Sequence, residues 1–325
     1  MKKSIVFLVL IIMMQMFVLV GCGSKGSVVD AQKDDRISIV CTTFPQYDWV
    51  KNIIAGNEER FILTLLMENG GDLHNFQPSA LDIARVSACD MFIYVGGESD
   101  GWVEDVMKEA VNPDMCVINM MDVAAPYLLE EESLEEDGFH EEHEFDEHIW
   151  LSLRNAEVLA EYIAVELEKL DQTDVNLYER NCESYIKKLK ALDAKFVQAA
   201  ASSETDTLLF ADRFPFRYFV EDYGLKYYAA FEGCSAETEA SFGIVAFLAG
   251  KLDELGLGAV LVIDSSDTRL AQVIIENTHT AHQQILALNS LQSVSKKDIV
   301  NGVSYLSVME ENLAILKIAL KMQLY

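Results

Sequence analysis

Residues 174–201 read DVNLYERNCESYIKKLKALDAKFVQAAA, a stretch without glycine or proline and rich in Lys, Leu, Ala and Glu. Leu177, Tyr185, Leu189, Leu192 and Phe196 recur at roughly helical spacing, so the segment is expected to form one helix. At about 1.5 Å per residue it would span on the order of 40 Å. Such a helix joins two bodies as a stiff strut, which a Gly/Ser linker does not. On either side lie short apolar, β-branched runs with helical signals between them. Before it stand ISIVCTTF, RFILTLLM, MFIYVG and MCVINM; after it stand TLLFAD, KYYAAFE, AVLVID and QILALN. Alternating strand and helix signals call for parallel sheets with helices on both faces. The expected fold is therefore α/β: two lobes, each a mostly parallel four-stranded sheet with flanking helices, joined by one long helix.

The chain has 325 residues, 50% of them hydrophobic, and a formal net charge of -28. That is enough to bury a sizeable core. A surface so acidic repels nucleic acid and anionic lipid headgroups and attracts cations, so no nucleic-acid partner is expected. Cys41, Cys89, Cys116, Cys182 and Cys234 show no CxxC pairing and no regular spacing. The five form no disulfide framework, and Cys41, Cys89 and Cys116, in or beside apolar strand-like runs, read as small buried hydrophobes. Residues 130–147 carry eleven acids and two histidines, His140 and His143. Like charges at this density do not pack, and the whole insert reads as a mobile loop.

In open α/β sheets ligands bind beyond the carboxyl ends of the strands. His74 follows RFILTLLM, Asp212 ends TLLFAD, Glu232 ends KYYAAFE, and Asn289 ends QILALN. His148 stands where the acidic insert gives way to IWLSLRNAEVLAEYIAVEL, an amphipathic helical pattern. Five metal-competent side chains thus collect on one rim, with both lobes contributing. Each has a structural reading when taken alone: a turn histidine, a helix cap, a surface acid or a self-bonded asparagine. His140 and His143 are three apart, so HEEH is not the H-E-x-x-H of zinc hydrolases. His279 and His282 read as structural or exposed.

Two resemblances sharpen this reading. Lys2 and Lys3 precede the apolar run IVFLVLIIMMQMFVLV, which ends in Leu19-Val20-Gly21-Cys22. The pattern is that of a secretory signal, and its end resembles the bacterial lipobox, in which the cysteine is lipidated. The segment HNFQPSALDIARVSACDMFIYVGGESDGWVEDV resembles the signature that follows the first metal histidine in solute-binding lipoproteins of zinc and manganese ABC importers. The shared positions are His74, Pro78, Ser79, Asp82, Asp90, Gly96-Gly97 and Trp102. EHIWLSLRNA resembles that family's second histidine motif, with His148 as ligand, and RYFVEDYGLKYYAAF resembles its aromatic-Tyr-Gly-Leu segment. An acidic, histidine-bearing loop ahead of the second histidine is typical of its zinc members.

The resemblance implies an extracytoplasmic, lipid-anchored protein that hands a divalent metal, Zn2+ or alternatively Mn2+, to an ABC permease in the same membrane, acts as a monomer and is no enzyme. It implies a signal peptide over 1–21, lipidation at Cys22, a tether over 22–36, an N-terminal lobe over 37–172 with the acidic loop at 130–147, the linking helix over 173–202 and a C-terminal lobe over 203–325. Two positions depart from its pattern. Zinc members place a third histidine where this chain has Arg213, beside Asp212. Manganese members place an aspartate where this chain has Asn289, and a glutamate where Glu232 falls. The implied ligands are His74, His148 and Glu232, completed by Asn289 or Asp212, with His140 and His143 in an auxiliary collecting loop. Arg213 cannot ligate, and its guanidinium is expected to face a carboxylate. The readings from other classes are a zinc hydrolase or a surface adhesin with a structural metal.

Overall fold

A computed structural model describes residues 34–131, 145–231 and 240–321. Strands β1 (Ile37–Cys41), β2 (Phe61–Leu65), β3 (Met91–Tyr94) and β4 (Cys116–Asn119) form an all-parallel sheet in the order β2-β1-β3-β4. Strands β5 (Thr207–Phe210), β6 (Lys226–Ala229), β7 (Ala259–Ile263) and β8 (Gln284–Leu288) repeat it as β6-β5-β7-β8. These are the eight runs singled out in the sequence. β5 and β7 are buried along their whole length, because helices cover both faces of a parallel sheet, and this is why they read as unbroken apolar runs. In each sheet the strand order reverses between the first and third strands. A crevice therefore opens at the carboxyl ends of β1 and β3, and of β5 and β7.

The helix between the two sheets runs Val175–Ala201. Its buried residues are Tyr178, Cys182, Tyr185, Leu189, Leu192, Phe196 and Ala199, alternating steps of four and three along one seam. The seam begins at Tyr178 rather than at Leu177, which is only half-buried. One hydrophobic core includes this seam together with the inner faces of both sheets, so the strut is packed along its length. Aromatic rings fix its second-lobe end: Phe196 stacks on Tyr223 at 5.0 Å and meets Phe219 edge-on at 5.4 Å. At the opposite side Trp49 meets Tyr305 edge-on at 5.4 Å, and the Tyr305 hydroxyl donates to the Trp150 carbonyl at 2.6 Å.

The lobes meet closely on the rim that carries the candidate residues. Gly71 N–H donates to the Gln292 carbonyl at 3.0 Å, and Leu73 N–H to Gln292 Oε1 at 2.9 Å. Gly70 has φ +70°, and a Cβ there would stand 2.3 Å from the Ser293 carbonyl oxygen. Only glycine lets these two backbones approach so nearly.

Cys41 and Cys89 are buried free thiols, as expected of small core residues, and Cys116 is half-buried; Cys182 is a free buried thiol as well, and Cys234 lies outside the described residues. No helix among the described residues is long and apolar enough to cross a membrane. The acidic insert needs a correction. Its positions 132–144, with His140 and His143, lie outside the described residues, but its last two acids do not belong to a solvated loop. Asp146 and Glu147 are 4% and 7% exposed, because each carboxylate is hydrogen-bonded to a backbone amide of the first lobe. Charge density along the chain did not distinguish these two from their neighbours.

Candidate metal centre

His74 sits on a single helical turn, Leu73–Asn75, in the connection after β2. Asp72 caps the turn by accepting the His74 amide at 3.1 Å, and the fully buried Leu73 anchors it. The signature after His74 is made of structural devices. Ser79 and Asp82 form a reciprocal cap that starts the helix Ala80–Ala88. Phe76 and Trp102 pack edge-on at 5.9 Å. Asp90 receives both the amide and the hydroxyl of Ser38 at 2.8 Å.

His148 is 2% exposed and immediately precedes the turn Ile149–Leu151. Asp146 Oδ1 receives its backbone amide at 2.7 Å and lies 3.0 Å from its Nδ1. A carboxylate only accepts, so His148 carries its proton on Nδ1 and presents Nε2 as a lone-pair donor. The Trp150 ring lies 5.2 Å away and closes the other side. The two imidazoles come from separate connections of the first lobe, and their centroids are 5.4 Å apart with planes inclined by 51°.

Around them the polar groups are acidic. His74 Nδ1 shares a hydrogen bond of 2.7 Å with Ser99 Oγ. Glu147 lays one oxygen, Oε1, against the Ser99 amide at 3.0 Å. Its other oxygen, Oε2, is buried, lies 3.8 Å from His74 Nδ1, and receives no hydrogen bond. Space for this carboxylate is made by Gly97, φ +76°, where a Cβ would stand 2.2 Å from Glu147 Oε1. Asp100 accepts the amides of Val95 and Gly96 at 2.8 and 3.0 Å. Burial pushes its carboxyl up to about 6, and the charge of Glu147 adds to the rise.

The other sequence candidates have different surroundings. Asp212 is 9% exposed. Its Oδ1 accepts the Arg213 amide at 2.8 Å and its Oδ2 the Ile263 amide at 3.0 Å, which ties β5 to β7. Asn289 Oδ1 accepts the Leu291 amide at 2.7 Å, and its backbone exchanges hydrogen bonds with the Asn312 side chain. Glu232 lies outside the described residues, as does Cys22. Among the described residues no three His, Cys, Asp or Glu side chains are arranged to hold one ion. The structure brings together His74 and His148 and gives Asp212 and Asn289 structural bonds. Sequence reasoning missed Asp146, Glu147 and Ser99. The available signals were the Asp-x-His spacing at 146–148 and the glycine at 97.

Arg213 finds its carboxylate on the other lobe: its Nη1 stands 2.5 Å from Asp72 Oδ2. Burial works to raise the Asp72 carboxyl, but the hydrogen bond and charge of Arg213 outweigh it and hold the group below the usual carboxylate range. A cavity of about 200 Å³ opens here between Gly71 and Asp72 on one side and Arg213, Ser265, Ser290 and Gln292 on the other. Imidazole nitrogens flanked by carboxylate oxygens suit a borderline divalent ion such as zinc, so the donor chemistry fits a transition metal.

The sequence pattern described as zinc-uptake complex component A, periplasmic (ZnuA) matches residues 39–319. The chain belongs to this family. The zinc-binding lipoprotein AdcA of Streptococcus pneumoniae (serotype 4) is 29% identical over 305 residues, which cover 92% of this chain and 58% of the relative. The chain thus spans somewhat under two thirds of that relative. The high-affinity zinc uptake system protein ZnuA of Bacillus subtilis is 27% identical over 306 residues, 93% of either chain. Among solved structures, the Zn(II)-bound ZnuA-like domain of S. pneumoniae AdcA superposes with a TM-score of 0.70 at 25% identity, covering 88% of this chain and 100% of that one. Full-length Zn(II)-bound AdcA gives 0.71 at 26% identity, over 89% of this chain and 58% of that one. The ZnuA family thus has the two-lobed α/β fold described above.

Proposed function

We propose that this member of the ZnuA family is the extracytoplasmic binding component of a metal importer. It captures a divalent transition metal, zinc, and delivers it to an ABC permease in the same membrane. The observation that carries the reading is the approach of two imidazoles to 5.4 Å on the strand-end rim, each with its Nδ1 engaged by an oxygen so that Nε2 can face an ion. Support for zinc over manganese comes from the nitrogen donors and from the names of the relatives. His74 and His148 are the imidazole ligands in this reading. Glu232 is the oxygen donor from the second lobe, and Asp212 and Asn289, already bonded to backbone, are the weaker candidates to complete the site. His140 and His143 collect ions from solution. Cys22 carries the lipid after cleavage of residues 1–21, residues 22–36 tether a monomer to the membrane surface, and the domain borders are 37–172, 173–202 and 203–325. The protein performs no catalysis and binds no nucleic acid. The hydrolase reading has no observation in its favour, and the laminin-binding proteins that share the fold are 20% identical and speak for the fold alone.

The test is competitive titration of the purified protein against a chromogenic chelator, together with metal content after purification. Zinc binding at 1:1 that is lost in His74→Ala and in His148→Ala is expected. Displacement of zinc by equimolar manganese would overturn the choice of ion, and undiminished binding in both variants would overturn the site.

A further inference from the structure

Tyr305 opens the last helix, Tyr305–Ala319, which packs on β7 and β8 of the second sheet. The residue is fully buried and engages the first lobe at three points. Its amide donates to Asp48 Oδ2 at 3.0 Å. Its ring meets Trp49 edge-on, and its hydroxyl donates to the Trp150 carbonyl. Asp48 and Trp49 lie on the helix Phe44–Ile53 of the first lobe. The same Asp48 oxygen also receives Asn52 Nδ2 at 3.2 Å and, from the helix between the sheets, the Tyr185 hydroxyl at 3.5 Å. At pH 7 the carboxyl is ionised, because burial raises it only to about 6. A negative charge at the first amide of a helix makes a charge-assisted bond and complements the helix dipole. Three elements thus meet at one dry point, where Asp48, Trp49, Trp150, Tyr185 and Tyr305 are each at most 2% exposed.

The rim is built differently. Gly71 and Leu73 donate to Gln292, the Lys296 amide donates to the Glu68 carbonyl at 2.7 Å, and Arg213 faces Asp72. The first three bonds join neutral groups, and the ion pair is partly exposed. A cavity of about 200 Å³ already lies between Asp72, Arg213 and Gln292. Hydrogen bonds to a charged group are worth about twice those between neutral groups. We propose that the Asp48–Tyr305 contact is the pivot of the molecule: the lobes part at the rim by turning about it, and it stays closed while they do. On the transport reading, the His148 segment stays with the pivot through Trp150, and the His74 turn, bonded to the second lobe at the rim, is the one that departs. The pivot itself is a property of the fold, and its test needs no metal.

That test is amide hydrogen exchange of the metal-free protein at pH 7, followed by NMR and corrected for intrinsic rates. Leu73 and Lys296 donate across the rim from opposite lobes. One parting motion should expose both, so their protection should agree within about threefold. Tyr305 should exchange roughly 100-fold or more slowly, as slowly as the amides of the buried strand β7. Arg213→Met should speed Leu73 and Lys296 together by about tenfold and leave Tyr305 unchanged. Asp48→Ala should bring Tyr305 to the level of the rim amides. Tyr305 exchanging in step with Leu73 in the wild type would overturn the proposal, because the contact would then open with the rim. So would Leu73 and Lys296 exchanging independently, which is fraying of single turns rather than parting of lobes. If Asp48→Ala does not fold, the wild type and Arg213→Met still decide the matter. Failure of the wild type to bind zinc would refute the transport reading and leave these exchange rates to decide the pivot.

Discussion

The pair between Arg213 and Asp72 joins the two lobes within a few residues of His74, and its strength can be measured by a double-mutant cycle. The perturbations are Arg213→Met, Asp72→Asn and both together. The side chains are 29% and 18% exposed, so the pair is neither a surface bridge nor a fully buried one. Exposed pairs are worth up to about 1 kcal/mol, and breaking one half of a buried pair costs about 3–5 kcal/mol. A coupling of roughly 2 kcal/mol lies between these limits. The Asp72 carboxyl is held below its ordinary value, so the stabilisation is present above the unfolded pKa of about 3.9 and is lost as pH falls through the lower folded value. The assay is urea unfolding of the four proteins in excess chelator at pH 7, repeated toward pH 3. Coupling near 2 kcal/mol at neutral pH that fades in acid is expected. Coupling below about 0.5 kcal/mol at pH 7, inside the usual scatter for non-interacting sites, would refute the idea that this pair latches the lobes.

Four further outcomes follow from particular residues. Asp48, 2% exposed, has its carboxyl raised by burial to about 6; the folded state therefore binds this proton more tightly than the unfolded one. Its ionisation costs stability increasingly as pH rises from about 4 to 6, by roughly 3 kcal/mol in full, and Asp48→Asn should flatten that part of the pH–stability curve in thermal melts; an unaltered curve would contradict the assignment. Gly97→Ala places a Cβ against Glu147 at φ 76°, ψ −167°, a region essentially confined to glycine; it should cost about 1–3 kcal/mol from backbone strain and weaken zinc binding, and wild-type affinity would show that the cradle is irrelevant. Asp146→Asn removes the carboxylate that orients His148 and should lower zinc affinity by about 10- to 100-fold, so affinity within threefold of wild type would rule that role out. Deletion of residues 132–144, which spares the buried Asp146 and Glu147, should leave affinity unchanged and slow uptake at limiting zinc; equal uptake would remove the collecting role of His140 and His143.

The strands were legible because a parallel sheet covered on both faces leaves a plain mark, a short run of apolar, β-branched residues. The long helix was legible because its seam repeats and nothing in it breaks a helix. His74 and His148 stood out because imidazoles are few and because one follows a strand while the other stands where the acidic insert gives way to a helix. Glu147 was hidden for the opposite reason. It is one of eleven acids in a row of eighteen residues, and what sets it apart is a glycine fifty positions earlier together with an amide at Ser99. A relation between distant positions is made by topology, and periodicity does not carry it. Asp212 is ambiguous for a related reason: a carboxylate at a strand end can hold an ion or staple two strands, and its bond from the Ile263 amide is of the second kind.

The second lobe acts on the site even where it donates no imidazole. Each segment that carries a histidine is gripped by it. The His74 turn is held through Gly71 and Leu73 by Gln292 and through Asp72 by Arg213. The His148 segment is held by the Tyr218 hydroxyl, which donates to the Asp146 carbonyl at 2.7 Å, and by the Ser290 carbonyl, which accepts from the Trp150 indole at 2.9 Å. Parting the lobes must break these contacts and free the two segments to move independently, and donors about 2 Å from an ion tolerate little such freedom. In the proposed site, release of the metal would then be helped by losing the polar contacts that keep His74 beside His148, besides the withdrawal of Glu232. Arg213→Met should therefore lower zinc affinity although Arg213 touches no metal, and Tyr218→Phe should do so through the other histidine.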